Sequence, residues 1–239
     1  MVYKGSKEIR YIKSVSKMIV PSMTAQEIHK EVFEDIKNLR VKLDECRNDF
    51  KNAVLKSSRY PFTKSYDCKT REKRNFFIVD FTAAKRSNWK NPIFSIYGIY
   101  SRPEGTYAVA PTLEMNIISI YPPHFFQRYR ERILKDESIS NQDIIRKYFK
   151  NDWGFMGAVV NKDFESVYYC FESNKDEKVS FVAATSQGYC FGEKQGDINI
   201  IKTIISEDML FENQKSIFYK LKNEFVKTNK DRYGTKVDF

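Results

Sequence analysis

The sequence has few of the residues from which metal sites and disulfide frameworks are built. It contains two histidines and four cysteines, and no two cysteines form a C-x-x-C pair. Because a structural zinc site takes four such ligands, the chain has almost no ligand supply for one. We therefore expect free thiols, no metal site and no cofactor.

Long apolar runs are also missing. The N-terminal MVYKGSKEIRYIKS lacks the apolar segment of a signal peptide, and the later apolar runs are far shorter than the ~20 residues that span a bilayer. We therefore expect a cytoplasmic protein with no membrane-spanning segment.

Apolar and aromatic residues are plentiful enough for a core. The chain has 239 residues, of which 41% are hydrophobic, with 19 Phe and 15 Tyr, and this composition excludes global disorder. We predict a basic arm, a long helix and a basic linker over residues 1–75, followed by an α+β domain over residues 76–239. One continuous domain is the alternative.

Positive charge exceeds negative charge. The chain has 41 Lys and Arg against 31 Asp and Glu, a formal net charge of +10. Such a charge favours polyanions, with nucleic acid first and an anionic membrane surface second, although many proteins are basic without a polyanionic partner. An acidic protein partner, such as an inhibitor, also fits this charge.

A long N-terminal helix is predicted from Thr24 to Lys56. Thr24 and Glu27 form a T-x-x-E capping box, and apolar residues follow at steps of four and three between Val32 and Ala53. The narrow stripe indicates a helix of about nine turns that packs on the body of the protein or pairs with a second copy as a homo-oligomer. Core packing is the favoured interpretation.

The remaining pattern predicts an α+β fold with an antiparallel meander sheet packed by helices. Ser57 to Arg74 has the pattern of a basic, turn-rich linker, Gly188 to Gly192 that of a turn or strand kink, and Ser206 caps a C-terminal helix. Alternation and β-branched or aromatic content predict these strands: Phe76–Phe81, Ile93–Tyr100, Tyr107–Ala110, Met115–Tyr121, Phe155–Val160, Ser166–Phe171, Lys178–Thr185 and Ile198–Ile205.

A basic loop between the first two predicted strands carries one large ring. Positive charge alternates with an aromatic side chain, an arrangement able to hold phosphate and stack a base. A solvated hairpin tip is the alternative. The candidate nucleic-acid-binding residues are Lys85, Arg86, Trp89 and Lys90.

The segment Pro122 to Arg132 is the most function-like part of the sequence. Proline is tolerated at the start of a helix, and at ~100° per residue Phe125, Phe126, Tyr129 and Ile133 share an apolar side. The adjoining polar side carries His124, Arg128, Glu131 and Arg132, and Arg130 is a further candidate contact to nucleic acid.

This polar side has the chemistry of a metal-independent RNA-cleaving site. Two arginines one turn apart can bind phosphate oxygens, and a histidine and a carboxylate can transfer protons near neutral pH. The same spacing also describes an ordinary surface helix in which Arg128 and Glu131 pair.

The order of a strand, this helix, a second helix that starts at Ser140, a meander and a last strand with Thr203 resembles RelE-like domains. These belong to the barnase, EndoU, colicin and RelE fold group, and the likeness to members with an H-x-x-x-R-x-x-x-R helix covers about Ile117 to Ser206. The resemblance implies a ribonuclease site, often of a toxin, between the helix and the concave side of the sheet. Its implied catalytic residues are His124, Arg128, Arg132 and Thr203.

Three hypotheses follow. The first is a metal-independent, ribonuclease-like protein in which His124 or Glu131 is the acid or base. The second is a module that binds nucleic acid or a protein without catalysis. The third is an assembly protein that oligomerises through the N-terminal helix.

Overall fold

The computed structural model describes residues 19–72, 74–159 and 178–233. These residues form an α+β fold, as predicted, in which one nine-stranded sheet carries helices on both faces. The strands are β1 (Phe62–Lys69), β2 (Phe76–Ala83), β3 (Ile93–Arg102), β4 (Gly105–Thr112), β5 (Ile117–Tyr121), β6 (Phe155–Val159), β7 (Lys178–Thr185), β8 (Gly188–Gln195) and β9 (Ile198–Ile205). The helices are α1 (Ala25–Ile36), α2 (Arg40–Lys56), α3 (Pro123–Tyr129), α4 (Asn141–Lys150) and α5 (Glu212–Tyr233). The predicted strand Ser166–Phe171 lies outside the described residues.

The sheet consists of two antiparallel meanders joined side by side. Its strand order is β1-β2-β3-β4-β5-β9-β8-β7-β6, and the joint is a parallel pairing of β5 with β9. A parallel pair needs a long crossover, which α3, α4 and the second meander supply. The meander prediction is therefore confirmed, with one parallel pair added.

The predicted long helix is present as two nearly continuous helices. Thr24 caps α1 through the expected capping box with Glu27, and a 3-10 turn over Lys37–Leu39 separates α1 from α2. Leu39 and Phe50 on the apolar stripe are buried against the sheet of the same chain. Core packing therefore accounts for the stripe.

The expected linker over Ser57–Arg74 contains strand β1. β1 pairs with β2 along its whole length, from Phe62 opposite Ala83 to Lys69 opposite Phe76. Its inner residues pack under α2, whereas its outer residues are polar, and this polar content concealed the alternation. The predicted boundary between residues 75 and 76 thus falls at the turn between two strands of one sheet.

The segment Gly188–Gly192, predicted to be a turn or a strand kink, is part of strand β8. A register shift between Phe191 and Gly192 places a β-bulge there, and a Cβ at Gly192 would collide with the carbonyl oxygen of Ile200. Close strand approach therefore requires glycine at position 192, and the strand kink is the interpretation that is confirmed.

Each face of the sheet has its own apolar layer. The helices α1 and α2 cover one face of the first meander, and α3 with α4 cover the opposite face near the middle of the sheet. The helix α5 packs on Val182 and Ala184 of β7, whereas the neighbouring Phe181 and Ala183 face α3 and α4. No helix among the described residues is long and apolar enough to cross a membrane.

Candidate functional site

Helix α3 follows the carboxyl end of β5 and packs against β9. Pro122 precedes it as the N-cap and Pro123 is its first residue, so the helix starts directly after β5. Phe125, Phe126 and Tyr129 are buried, as the helical wheel predicted. His124 and Arg128 are exposed on the outer side. The predicted two-sided character of this helix is therefore confirmed.

The helix ends in a wider π-helical turn over Arg130–Leu134. The backbone N–H of Lys135 bonds the carbonyl of Arg130 at 2.8 Å, five residues earlier. The uniform wheel does not apply beyond Tyr129, because a π turn inserts an extra residue. Such turns occur frequently at functional sites.

Arg132 on this turn reaches the last strand. Its Nη1 donates to the hydroxyl of Thr203 at 3.1 Å and to the carbonyl oxygen of Ile204 at 3.3 Å. β5 pairs with β9 only as far as Ile200, so α3 instead of a strand borders the later part of β9 on the side opposite β8. The Arg132 guanidinium thus satisfies a carbonyl at this edge and stands beside the Thr203 hydroxyl.

Arg128 and Glu131 pair on the outer side of α3. Arg128 Nη1 lies 2.7 Å from Glu131 Oε2, and Gln127 Nε2 donates to Glu131 Oε1 at 2.8 Å. These two hydrogen bonds, first that of Gln127 and then that of Arg128, lower the pKa of Glu131. Glu131 is therefore an ionised carboxylate with both oxygens engaged.

His124 lies in the first turn of α3 and is exposed. It precedes Arg128 by four residues, which corresponds to about 6 Å along a helix axis, and Arg132 lies further on, in the π-helical turn. His124 and Arg128 are thus close enough to contact the same phosphate group. Arg132 lies where it could contact a neighbouring part of the ligand.

Arg130 does not point to the same surface. It is half-buried, and its Nη2 donates to Asn141 Oδ1 at 2.8 Å. Because Asn141 is the first residue of α4, this hydrogen bond ties the end of one helix to the start of the next. Arg130 therefore has a structural contact, and its role as a contact to nucleic acid stays a prediction.

The basic loop with Lys85, Arg86, Trp89 and Lys90 forms a 3-10 turn over Arg86–Trp89. Trp89 is half-buried against the core under α2, and the ammonium groups of Lys51 and Lys90 lie 4.6 and 5.7 Å from its ring centroid. The ring thus serves packing and cation–π contacts, which leaves less of it for a stacked base.

The loop and α3 lie at opposite ends of the sheet. β3 and β5 run in the same direction, because both are antiparallel to β4. The loop precedes β3, whereas α3 follows β5, and a ten-residue strand such as β3 spans roughly 30 Å. The structure therefore does not bring the two predicted groups into one site.

Sequence reasoning missed a cavity near the end of α3. Residues 185–188, with Tyr189, Glu207 and Lys222, line a cavity of about 310 Å³. The only local signal is Gly188, whose φ of +141° disfavours other residues. Glu207 and Lys222 are distant from Gly188 in sequence, so no sequence motif brings the residues that line the cavity together.

Burial raises the pKa values of two acidic residues, Asp152 and Asp80. Burial raises the pKa of Asp152, just after α4, to about 7 against the hydrogen bond from the Gly154 N–H. Burial also raises the pKa of Asp80 on β2, although the Ser65 hydroxyl opposes the rise. Neither residue carries a pattern in the sequence that indicates its environment.

Within residues 19–72, 74–159 and 178–233, no three His, Cys, Asp or Glu side chains gather as a metal site. No protein family matches the chain, and no curated protein or solved structure is significantly similar to it.

Proposed function

We propose that the protein binds RNA phosphate across the outer side of α3 and cleaves RNA without a metal ion. The observation that carries the proposal is the contact of Arg132, on the π-helical turn, with Thr203, and Arg128 lies four residues earlier in α3. Two guanidinium groups near a hydroxyl and an exposed imidazole form a set that suits a phosphodiester. The net charge of +10 supports a polyanionic ligand.

Each residue has a distinct role in this proposal. Arg128 and Arg132 bind phosphate oxygens, and Thr203 orients Arg132. Glu131 is a positioning residue, because its ionised carboxylate holds Arg128. His124 is the proton-transfer group, since imidazole is the side chain suited to exchange protons near neutral pH.

In the proposed reaction, the 2′-oxygen of RNA attacks the adjacent phosphorus, and the bond from phosphorus to the 5′-oxygen breaks. His124 accepts the proton of the 2′-hydroxyl, and water protonates the departing 5′-oxygen. Arg128 and Arg132 stabilise the negative charge that develops on the phosphate oxygens. The products are a 2′,3′-cyclic phosphate and a 5′-hydroxyl.

The test is RNA cleavage by purified protein in EDTA, with identification of the new ends. We expect cyclic phosphate ends, and at least a ~100-fold slower reaction for His124→Ala and Arg128→Ala. The matched control is Lys85→Ala with Arg86→Ala, at the opposite end of the sheet. Absence of cleavage by the wild-type protein, or equal rates for all variants, would overturn the catalytic proposal.

Non-catalytic binding of nucleic acid is a second candidate function. Arg132 and Arg128 already have protein partners, and both carboxylate oxygens of Glu131 accept hydrogen bonds from Arg128 and Gln127. Under this alternative, RNA binds without product, and each removed arginine lowers the slope of log affinity against log salt by about 1. Binding curves at several salt concentrations separate the two functions.

A further inference from the structure

The cavity beside α3 has the size of a small-ligand site. Its volume is about 310 Å³, at the lower end of the range for clefts that bind small molecules. The turn of residues 185–188 between β7 and β8 forms one wall, and Glu207 and Lys222 lie on the C-terminal segment that borders it. The cavity is therefore formed by chain segments that are distant in sequence.

The wall formed by the turn is held in place from α3 and α4. The Tyr129 hydroxyl donates to Gln187 Oε1, and Gln187 Nε2 donates to the carbonyl oxygen of Tyr148 at 3.0 Å. The Ser186 hydroxyl donates to the carbonyl oxygen of Asn151 at 2.5 Å. A wall fixed in this way loses little conformational entropy when a ligand binds.

The cavity offers polar groups beside an aromatic ring. Tyr189 is 3% exposed, and no described group hydrogen-bonds to its hydroxyl. Glu207 Oε2 lies 2.7 Å from Lys222 Nζ, and this hydrogen bond lowers the pKa of Glu207. Its side chain keeps 43% exposure, so the ionised carboxylate can accept hydrogen bonds from a ligand.

The cavity adjoins the arginine side of α3. A Cβ at Gly188 would lie 3.4 Å from Ile133 Cδ1 and 2.5 Å from the carbonyl oxygen of Ile205. Ile133 follows Arg132, and Ile205 follows Ile204, to whose carbonyl Arg132 donates. Gly188 of the cavity wall thus lies next to the residues that directly follow Arg132 and its partner Ile204 in the chain.

We propose that this cavity binds the nucleobase of a nucleotide whose phosphate is bound by Arg132. This proposal rests on the proposed phosphate-binding function of α3. It adds that the cavity beside α3 binds the base of the same nucleotide. A base placed there lies against Tyr189 and the backbone of Gly188, and its amino group donates to Glu207. Because a carboxylate only accepts hydrogen bonds, cytosine, with its amino group, binds better than uracil, which carries a carbonyl at that position.

The test is calorimetric titration of the full chain with inorganic phosphate, cytidine, cytidine 3′-monophosphate and uridine 3′-monophosphate. We expect the cytidine nucleotide to bind at least ten times more tightly than inorganic phosphate and several times more tightly than the uridine nucleotide. Glu207→Gln should remove most of the advantage of the cytidine nucleotide over inorganic phosphate. Arg132→Gln should weaken binding of all three phosphate-containing ligands without affecting cytidine.

Glu212→Gln is the matched control, because Glu212 is an exposed carboxylate at the start of α5 that pairs with Lys215 and does not line the cavity. It should leave all four affinities unchanged. If inorganic phosphate binds in an Arg132-dependent manner but the base adds nothing, the cavity proposal is wrong while the phosphate site stands. If cytidine binds but phosphate and Arg132 have no effect, the phosphate site fails, and with it the proposed nucleotide subsite.

Discussion

The guanidinium of Arg132 donates to the hydroxyl of Thr203, a residue 71 positions later in the chain. The contact joins the π-helical turn after α3 to the edge of β9 where β5 has ended. It fixes one of the two arginines proposed to bind phosphate. Its removal should therefore affect ligand binding more than stability.

Substitution of Thr203 tests this contact. Thr203→Val keeps the shape of the side chain but removes the hydroxyl, so Arg132 retains only the Ile204 carbonyl. We expect about tenfold weaker RNA binding and a loss of about 1 kcal/mol or less in the free energy of unfolding. Thr203→Ser, which keeps the hydroxyl, should behave as wild type in the same filter-binding and urea assays. Wild-type affinity of the valine variant would contradict the assigned role.

The raised pKa of Asp152 predicts a pH dependence of stability. Between its ordinary value of 3.8 and about 7, the folded state holds a proton that the unfolded state has released. Stability contributed by this group is therefore full below pH 4, falls as the pH rises to about 7, and is constant above. Asp152→Asn should remove this fall, which we expect to exceed about 1 kcal/mol.

Urea unfolding at pH 5 and pH 8 measures the effect. Asp136→Asn is the control, because hydrogen bonds from Ser138 lower the pKa of Asp136 and place its titration below this window. If the free energy of unfolding changes by the same amount between pH 5 and pH 8 in the wild-type and Asp152→Asn proteins, Asp152 does not titrate in this range.

Asp80 provides a second case of an acid that opposes folding. It is 3% exposed, and burial raises its pKa, so its ionised form is unfavourable in the folded protein. Asp80→Asn should raise the free energy of unfolding at pH 8 by about 1 kcal/mol, and the gain should shrink as the pH falls through the raised pKa. Asp67→Asn, which breaks the exposed pair with Arg146, should instead lower stability slightly. A destabilised Asp80→Asn protein at pH 8 would contradict this assignment.

Two positions on the N-terminal helices separate core packing from assembly. Leu39 is 1% exposed within the core, whereas Val41 is 73% exposed. Leu39→Asp should cost several kcal/mol, because it buries a charge without a partner. Val41→Asp should change neither stability nor sedimentation. A Leu39→Asp protein that stays folded but changes its association state would support the oligomer hypothesis for the stripe.

Local patterns predicted the elements whose signal lies within a few residues. The aromatic side of α3 and the capping box of Thr24 depend on spacings of three and four, and both are present. β1 and β8 were missed, because a polar outer face in one and a bulge glycine in the other interrupt the alternation. In both cases the partner strand, rather than the local sequence, decides the structure.

The arrangement of the candidate site depends on contacts that no local pattern contains. That the Lys85 loop and α3 lie at opposite ends of the sheet follows from the number and direction of the strands between them. The tie of Arg130 to Asn141 depends on the angle between two helices. The cavity forms only where the turn between β7 and β8 lies next to Glu207 and to Lys222 of α5. The chemistry of the individual residues could be predicted from the sequence, but which of them the fold brings together could not.

The parallel joint between β5 and β9 has a consequence for the order of folding. It contains few residue pairs, such as Ile120 with Ile200, and the nearby side-chain contact of Ser119 with Asn199 links positions 80 residues apart. Within each meander, in contrast, neighbouring strands such as β3 with β4 and β8 with β9 are joined by short turns. Because closing a longer loop costs more chain entropy, we expect the two meanders to form first and their union to limit the folding rate.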